Sequence, residues 1–156
     1  METVRLGKTD LRVSRIGMGG IPLTRTTEAE AIELIRHALD LGVDFIDTAH
    51  GYGGGMSEER IGKAIAGRRD QVIVATKGGN PEHVDVSLKR LNTDYIDLWQ
   101  FHGINYFDRL ERVVAPGGPL EKTQELVQAG KIRHIGFSSH SLKGALEAVA
   151  SGHFQT

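Results

Sequence analysis

The sequence contains no cysteine, which removes disulfide scaffolds, thiolate metal sites and cysteine nucleophiles from consideration. It has no excess of charge: 19 Lys and Arg stand against 20 Asp and Glu, and no basic block occurs. Nucleic acid and anionic membrane surfaces therefore find no electrostatic footprint, and a small molecule is the expected partner. No apolar run approaches the ~20 residues of a membrane span, and the polar opening from Met1 to Lys8 lacks the apolar core of a signal peptide. A soluble, cytoplasmic protein is expected. Outside position 102, the histidines show no two-ligand helical spacing, so no metal site is expected.

Glycine is abundant instead, at 20 of 156 residues, and it punctuates short apolar runs. Five such runs read as buried strands: residues 16–20, 45–49, 72–77, 95–102 and 134–139. Between them lie helical patterns. Thr27 and Glu30 form a capping box ahead of Ile32, Ile35, Ala38 and Leu39, and Gly42 supplies the stop. Ser57 is expected to cap a second helix, with Glu58 and Glu59 at its positive end and Ile61, Ala64 and Ile65 facing inward. Asn80-Pro81 opens a third, and further helices are expected from Pro119 to Ala129 and from Ser141 to about Gly152. Ahead of these, residues 4–6 and 11–13 read as a hairpin, and Arg68-Arg69-Asp70 reads as a solvated turn.

Five strand–helix alternations imply a parallel sheet covered by helices. A doubly wound open sheet and a closed (β/α)8 barrel both fit that pattern. Length alone favours the open sheet, because a barrel typically needs ~250 residues.

In either architecture the ligand sits at the carboxyl ends of the strands, and the ionisable residues gather there. Asp47 lies near the end of the second strand, Lys77 closes the third and His102 the fourth. Tyr52 stands in the Gly-rich loop after the second strand, and Ser138 and Ser139 end the fifth. An ammonium beside a phenol favours the phenolate, and a carboxylate can hold the ammonium in place, so the set reads as a proton-transfer site. Each residue also has a plain structural use, such as a turn cap or a solvated strand end. Gly17-Met18-Gly19-Gly20 misses the dinucleotide-binding spacing and reads as a tight turn. The histidines at 37, 50, 83, 134, 140 and 153 read as surface or structural.

The segments at 7–20 (GKTDLRVSRIGMGG), 45–49 (FIDTA), 51–53 (GYG), 57–65 (SEERIGKAI), 74–77 (VATK), 87–91 (SLKRL), 93–98 (TDYIDL) and 130–139 (GKIRHIGFSS) together resemble the aldo-keto reductases, most of all their prokaryotic "predicted oxidoreductase" branch. The resemblance implies an α/β TIM barrel whose bottom is closed by an N-terminal hairpin. It also implies reduction of aldehydes or ketones to alcohols with NADP(H); the region that separates NADP(H) from NAD(H) in relatives has no counterpart here. By resemblance, Tyr52 is the general acid, Lys77 the cation that eases release of its proton, Asp47 the carboxylate paired with that lysine, and His102 the group that orients the carbonyl. Ser138 and Ser139 match positions that hold the nicotinamide carboxamide, with Asn more usual at the second. Gly20 and Ile21 match backbone beside the cofactor.

Against that family pattern, residues 1–156 read as a partial barrel of about five βα units. The link between Lys77 and Ser87 is short, and Phe154-Gln155-Thr156 matches the entry to the sixth strand. The units that hold most of the cofactor in relatives are absent, so weak NADPH binding is expected. Two other readings stay open. One is a non-catalytic half-barrel that self-associates through its open sheet edges. The other is a Schiff-base lyase or aldolase barrel using Lys77.

Overall fold

The computed structural model describes every residue from Met1 to Thr156. The chain opens with Thr3–Arg5 (β1) and Arg12–Ser14 (β2), which pair antiparallel with Val4 opposite Val13. Strands and helices then alternate: Met18–Gly19 (β3), Glu28–Asp40 (α1), Phe45–Asp47 (β4), Met56–Ala64 (α2), Ile73–Gly78 (β5), His83–Leu91 (α3) and Ile96–Phe101 (β6). Two helices follow β6, Phe107–Val114 (α4) and Pro119–Gln128 (α5), before Ile132–Phe137 (β7) and Leu142–Ala150 (α6).

The five strands β3 to β7 are parallel and lie in sequential order. A doubly wound sheet reverses its winding part-way and so places an early strand inside the sheet. Here each strand joins the outer side of its predecessor, which is the winding of a barrel wall. The open-sheet expectation from length fails for that reason, since length carries no information on strand order.

Alternation along the strands sorts the two faces. Ile46, Val74, Trp99 and Phe101 join the core beneath the helices, where Ile35, Ile61 and Leu88 meet them. Ala75 and Leu98 face the other way, against Leu11 and Val13, with Phe45, Ile73 and Leu6 packed alongside. The hairpin covers that inner face at its lower end. It is held there by Ser14 N–H on Asp44 Oδ1 (2.6 Å), by Lys8 N–H on the Gln155 carbonyl (2.8 Å) and by Asp10 on His134 (2.7 Å). Residues 154–156 run beside β7, with Gln155 N–H on Ile135 O (3.0 Å) and Phe137 N–H on Thr156 O (3.2 Å). They occupy the place of a sixth strand.

Local details follow the sequence chemistry in most places. Both halves of the Thr27–Glu30 capping box form, and Gly42 adopts φ +87° after α1. Three places differ. The second helix begins at Met56 with Gly55 as its cap. Ser57 is buried, donating to Gly20 O (2.9 Å) and bonding Thr48 Oγ1 (2.8 Å), so it joins the ends of β3 and β4 to α2. The short helix α4 was not expected. Arg69 is not solvated either: it pairs with buried Asp97 (2.7 Å) and lies over the Tyr95 ring at 4.0 Å, with Arg133 at 3.9 Å from the same ring. No helix is long and apolar enough to cross a membrane.

Candidate active site

The end of β5 carries Lys77, 5% exposed although it is a lysine. A buried ammonium needs partners, and it has three: Asp47 Oδ1 (2.7 Å), Asp47 Oδ2 (2.6 Å) and the Thr48 carbonyl (2.8 Å). Parallel pairing of β4 with β5 brings the two ends side by side, with Asp47 in register with Ala75. The shortened link after β5 leaves Lys77 in this grip.

Tyr52 enters from the loop after β4. It starts a tight, non-helical turn, Tyr52–Gly55, in which Gly53 and Gly54 take φ of +60° and +66°. That left-handed path strains any side chain and brings the loop back over the strand ends. Lys77 Nζ lies 5.3 Å from the centre of the Tyr52 ring. The His102 ring meets Tyr52 edge-on, with centroids 6.1 Å apart. All four residues expected to form the proton-transfer site are therefore gathered at one end of the sheet.

The loop is clamped by residues whose importance the sequence did not reveal. Arg90 of α3 donates to the carbonyls of His50 (3.0 Å) and Gly54 (3.1 Å), on either side of Tyr52. Its charge is met by Glu58 (3.3 Å), which is fully buried and accepts a 2.7 Å bond from Thr76. Glu58 is thus a buried counter-charge, beyond its expected place in the first turn of α2. His50 and His83 also turn inward, stacked with centroids 4.1 Å apart and 7° between planes. The only sequence signal for them was proximity: His50 lies two residues before Tyr52, and His83 follows the short link.

Burial, first of all, holds the His102 imidazole below its ordinary pKa of 6.5, with Lys77, His140 and Arg109 acting in the same direction and Asp47 opposing. His50 is lowered too, by burial and then by His83 and Arg90. Both rings are therefore neutral near pH 7. The unfolded chain takes up protons on these histidines as pH falls through about 6.5 while the folded chain resists, so stability present above that pH is lost on acidification. The thermal midpoint should fall between about pH 7.5 and pH 5.5, and His50→Gln should flatten that dependence. An unchanged slope in the variant would show that His50 takes no part.

On the inner face, a cleft of about 450 Å³ is lined by Met18, Gly19, Asp47, Lys77, Gln100 and Ser138 among others. Gln100 Oε1 is buried there without a donor. Ser138 Oγ accepts from Gly103 N–H (3.1 Å) and donates to no protein atom. An uncommitted acceptor and an uncommitted donor in one cleft suit a primary amide. Ser139, by contrast, lies outside this lining, and its hydroxyl is spent within its own loop on Ser141 O (2.9 Å) and Ser141 N–H (3.1 Å). Gly20 N–H binds Asp47 O (2.7 Å), and a Cβ on Gly20 would stand 2.6 Å from Ser57 Oγ. Ile21 is 48% exposed beside it.

The family model for the aldo/keto reductase family matches residues 15–154. The chain belongs to that family. Aldo-keto reductase YhdN of Bacillus subtilis is 42% identical over 170 aligned positions, covering 92% of this chain and 48% of YhdN. The holo form of aldo-keto reductase AKR11C1 from Bacillus halodurans superposes with a TM-score of 0.84 at 36% identity, covering 96% of this chain and 54% of that one. An aldo-keto reductase from Klebsiella pneumoniae, solved in complex with NADPH, gives a TM-score of 0.78 at 27% identity over 98% of this chain and 56% of its own. The chain thus spans about half the length of the relatives it matches. As an aldo-keto reductase it supplies one side of the barrel, and the cluster of Asp47, Tyr52, Lys77 and His102 lies on that side.

Proposed function

We propose that the protein takes part in NADPH-dependent reduction of an aldehyde or ketone to an alcohol. The observation that carries this reading is the buried Lys77 ammonium, bound through both oxygens of Asp47 and set 5.3 Å from the ring of Tyr52. The Klebsiella pneumoniae relative was solved with NADPH, and the amide-matching pair of Gln100 and Ser138 suits the carboxamide of a nicotinamide. Asp47, Gln100 and Ser138 are the residues of this chain that would hold that end of the cofactor.

When bound, NADPH supplies a hydride to the carbonyl carbon. Tyr52 gives its phenolic proton to the carbonyl oxygen, so the C=O bond becomes a CH–OH group. Lys77 stabilises the phenolate that remains, and Asp47 keeps Lys77 charged and aimed. His102, neutral at working pH, donates a hydrogen bond to the same carbonyl oxygen and fixes which way the carbonyl faces. Asp47 and Tyr52 both have work in this scheme, whereas a Schiff base on Lys77 would first have to break the Lys77–Asp47 pair.

Titration of the purified chain with NADPH, followed by nicotinamide fluorescence, tests the reading. Weak but saturable binding is expected. A response that never saturates up to millimolar NADPH would reject cofactor use by this chain.

A further inference from the structure

Arg109 stands beside the site with its charge unmatched. It lies in the first turn of α4, and the one hydrogen bond of its side chain within the protein runs from Nη2 to the carbonyl oxygen of His102 (3.1 Å). It takes part in no ion pair within 4.0 Å. Nε is buried without an acceptor. A guanidinium has five N–H donors, and nearly all of these are unused.

The surroundings do not neutralise it. Asp47 is committed to Lys77, and Glu58 to Thr76 and Arg90. Asp108 is taken by Arg112 (2.9 Å) and Asp85 by Lys131 (2.7 Å). Glu82, at the start of α3, is exposed to solvent and forms no ion pair. The mouth of the site is therefore cationic, and His102 already feels Arg109 as a positive neighbour. Gly79 makes room there. A Cβ on Gly79 would stand 3.9 Å from Arg109 Nη2 and 3.9 Å from His83 Cε1, so the two side chains flank a bare stretch of backbone just beyond Lys77. The stacked His50 ring backs His83.

We infer that the carbonyl substrate carries a carboxylate, and that Arg109 holds it beside Gly79 while the carbonyl reaches Tyr52 and His102. This rests on the reductase reading and adds the charge of the substrate to it. The planar fork of a guanidinium matches the two oxygens of a carboxylate, and the half-buried setting limits screening. A neutral analogue would leave Arg109 as unpaired as it is now, which is how a charged group selects among substrates of similar shape.

The test compares 4-(hydroxymethyl)benzoate, the product-side alcohol, with its neutral methyl ester, both titrated into the full chain by calorimetry. The carboxylate should bind roughly tenfold more tightly, the scale of one charge-assisted hydrogen bond. Arg109→Gln should bring the two affinities together, and Arg109→Lys should keep part of the difference. Equal affinities in the unaltered chain overturn the inference. So does a preference that survives Arg109→Gln, which would place the carboxylate elsewhere, and so does failure of the carboxylate to bind at millimolar concentration. If Arg109→Gln does not fold, rising salt in the unaltered chain replaces it: the carboxylate should weaken while the ester does not, and equal insensitivity overturns the inference. The NADPH titration reports separately on the reductase reading, because a carboxylate preference can stand when cofactor binding fails.

Discussion

Tyr52→Phe is expected to lower the rate of carbonyl reduction by ~10²- to 10⁴-fold, the usual contribution of a positioned general acid, with NADPH affinity changed less than about twofold. The substitution removes one oxygen atom and keeps the ring. The edge contact with His102 and the approach to Lys77 both belong to the ring, and no protein hydrogen bond of the 52–55 turn uses the phenol. The loss should therefore fall on kcat, measured as NADPH consumption at saturating carbonyl substrate. A parallel loss of cofactor affinity would show that the hydroxyl shapes the cleft and does not act in proton transfer.

Glu58→Gln should destabilise the fold by on the order of 3 kcal/mol, the low end for removing one partner of a buried pair. The low end applies because Arg90 keeps 21% of its side chain in solvent and can shed part of its burden to water. Gln preserves volume and can still accept from Thr76, so the change isolates the charge. Urea unfolding monitored by circular dichroism measures it. The damage should also reach the loop: Arg90 ties together the carbonyls of His50 and Gly54, and without its counter-charge the turn carrying Tyr52 should exchange its amide hydrogens faster. A loss of stability below about 1 kcal/mol would mean that the guanidinium is already adequately solvated.

These two substitutions separate what was legible in the sequence from what was not. The strands, the hairpin, the three ionisable residues at strand ends and Tyr52 in its Gly-rich loop depend on period-two runs, glycine stops and position along the chain, all of which are local. The Glu58–Arg90 pair joins residues 32 apart, so Glu58 looked like an ordinary acidic residue in a first helical turn. Ser57 misled in the same way, because a serine before two glutamates has the pattern of a cap while its partners lie on β3 and β4. The helix α4 was hidden by its brevity. Its eight residues bury only Leu110 and Val113, and no side chain caps its start. Length alone points to the wrong architecture, because strand order depends on the sense of each crossover and not on the number of residues.

The sequential order of the strands also shapes how the chain can fold during synthesis. Each of β4 to β7 pairs with the strand made just before it, so the wall can grow one strand at a time as the polypeptide leaves the ribosome. The hairpin is the exception. Asp10 waits for His134, and Lys8 waits for Gln155. The hairpin therefore docks in stages: Ser14 can meet Asp44 once β4 is made, whereas Asp10 and Lys8 are secured only after β7 and the residues beyond it are in place.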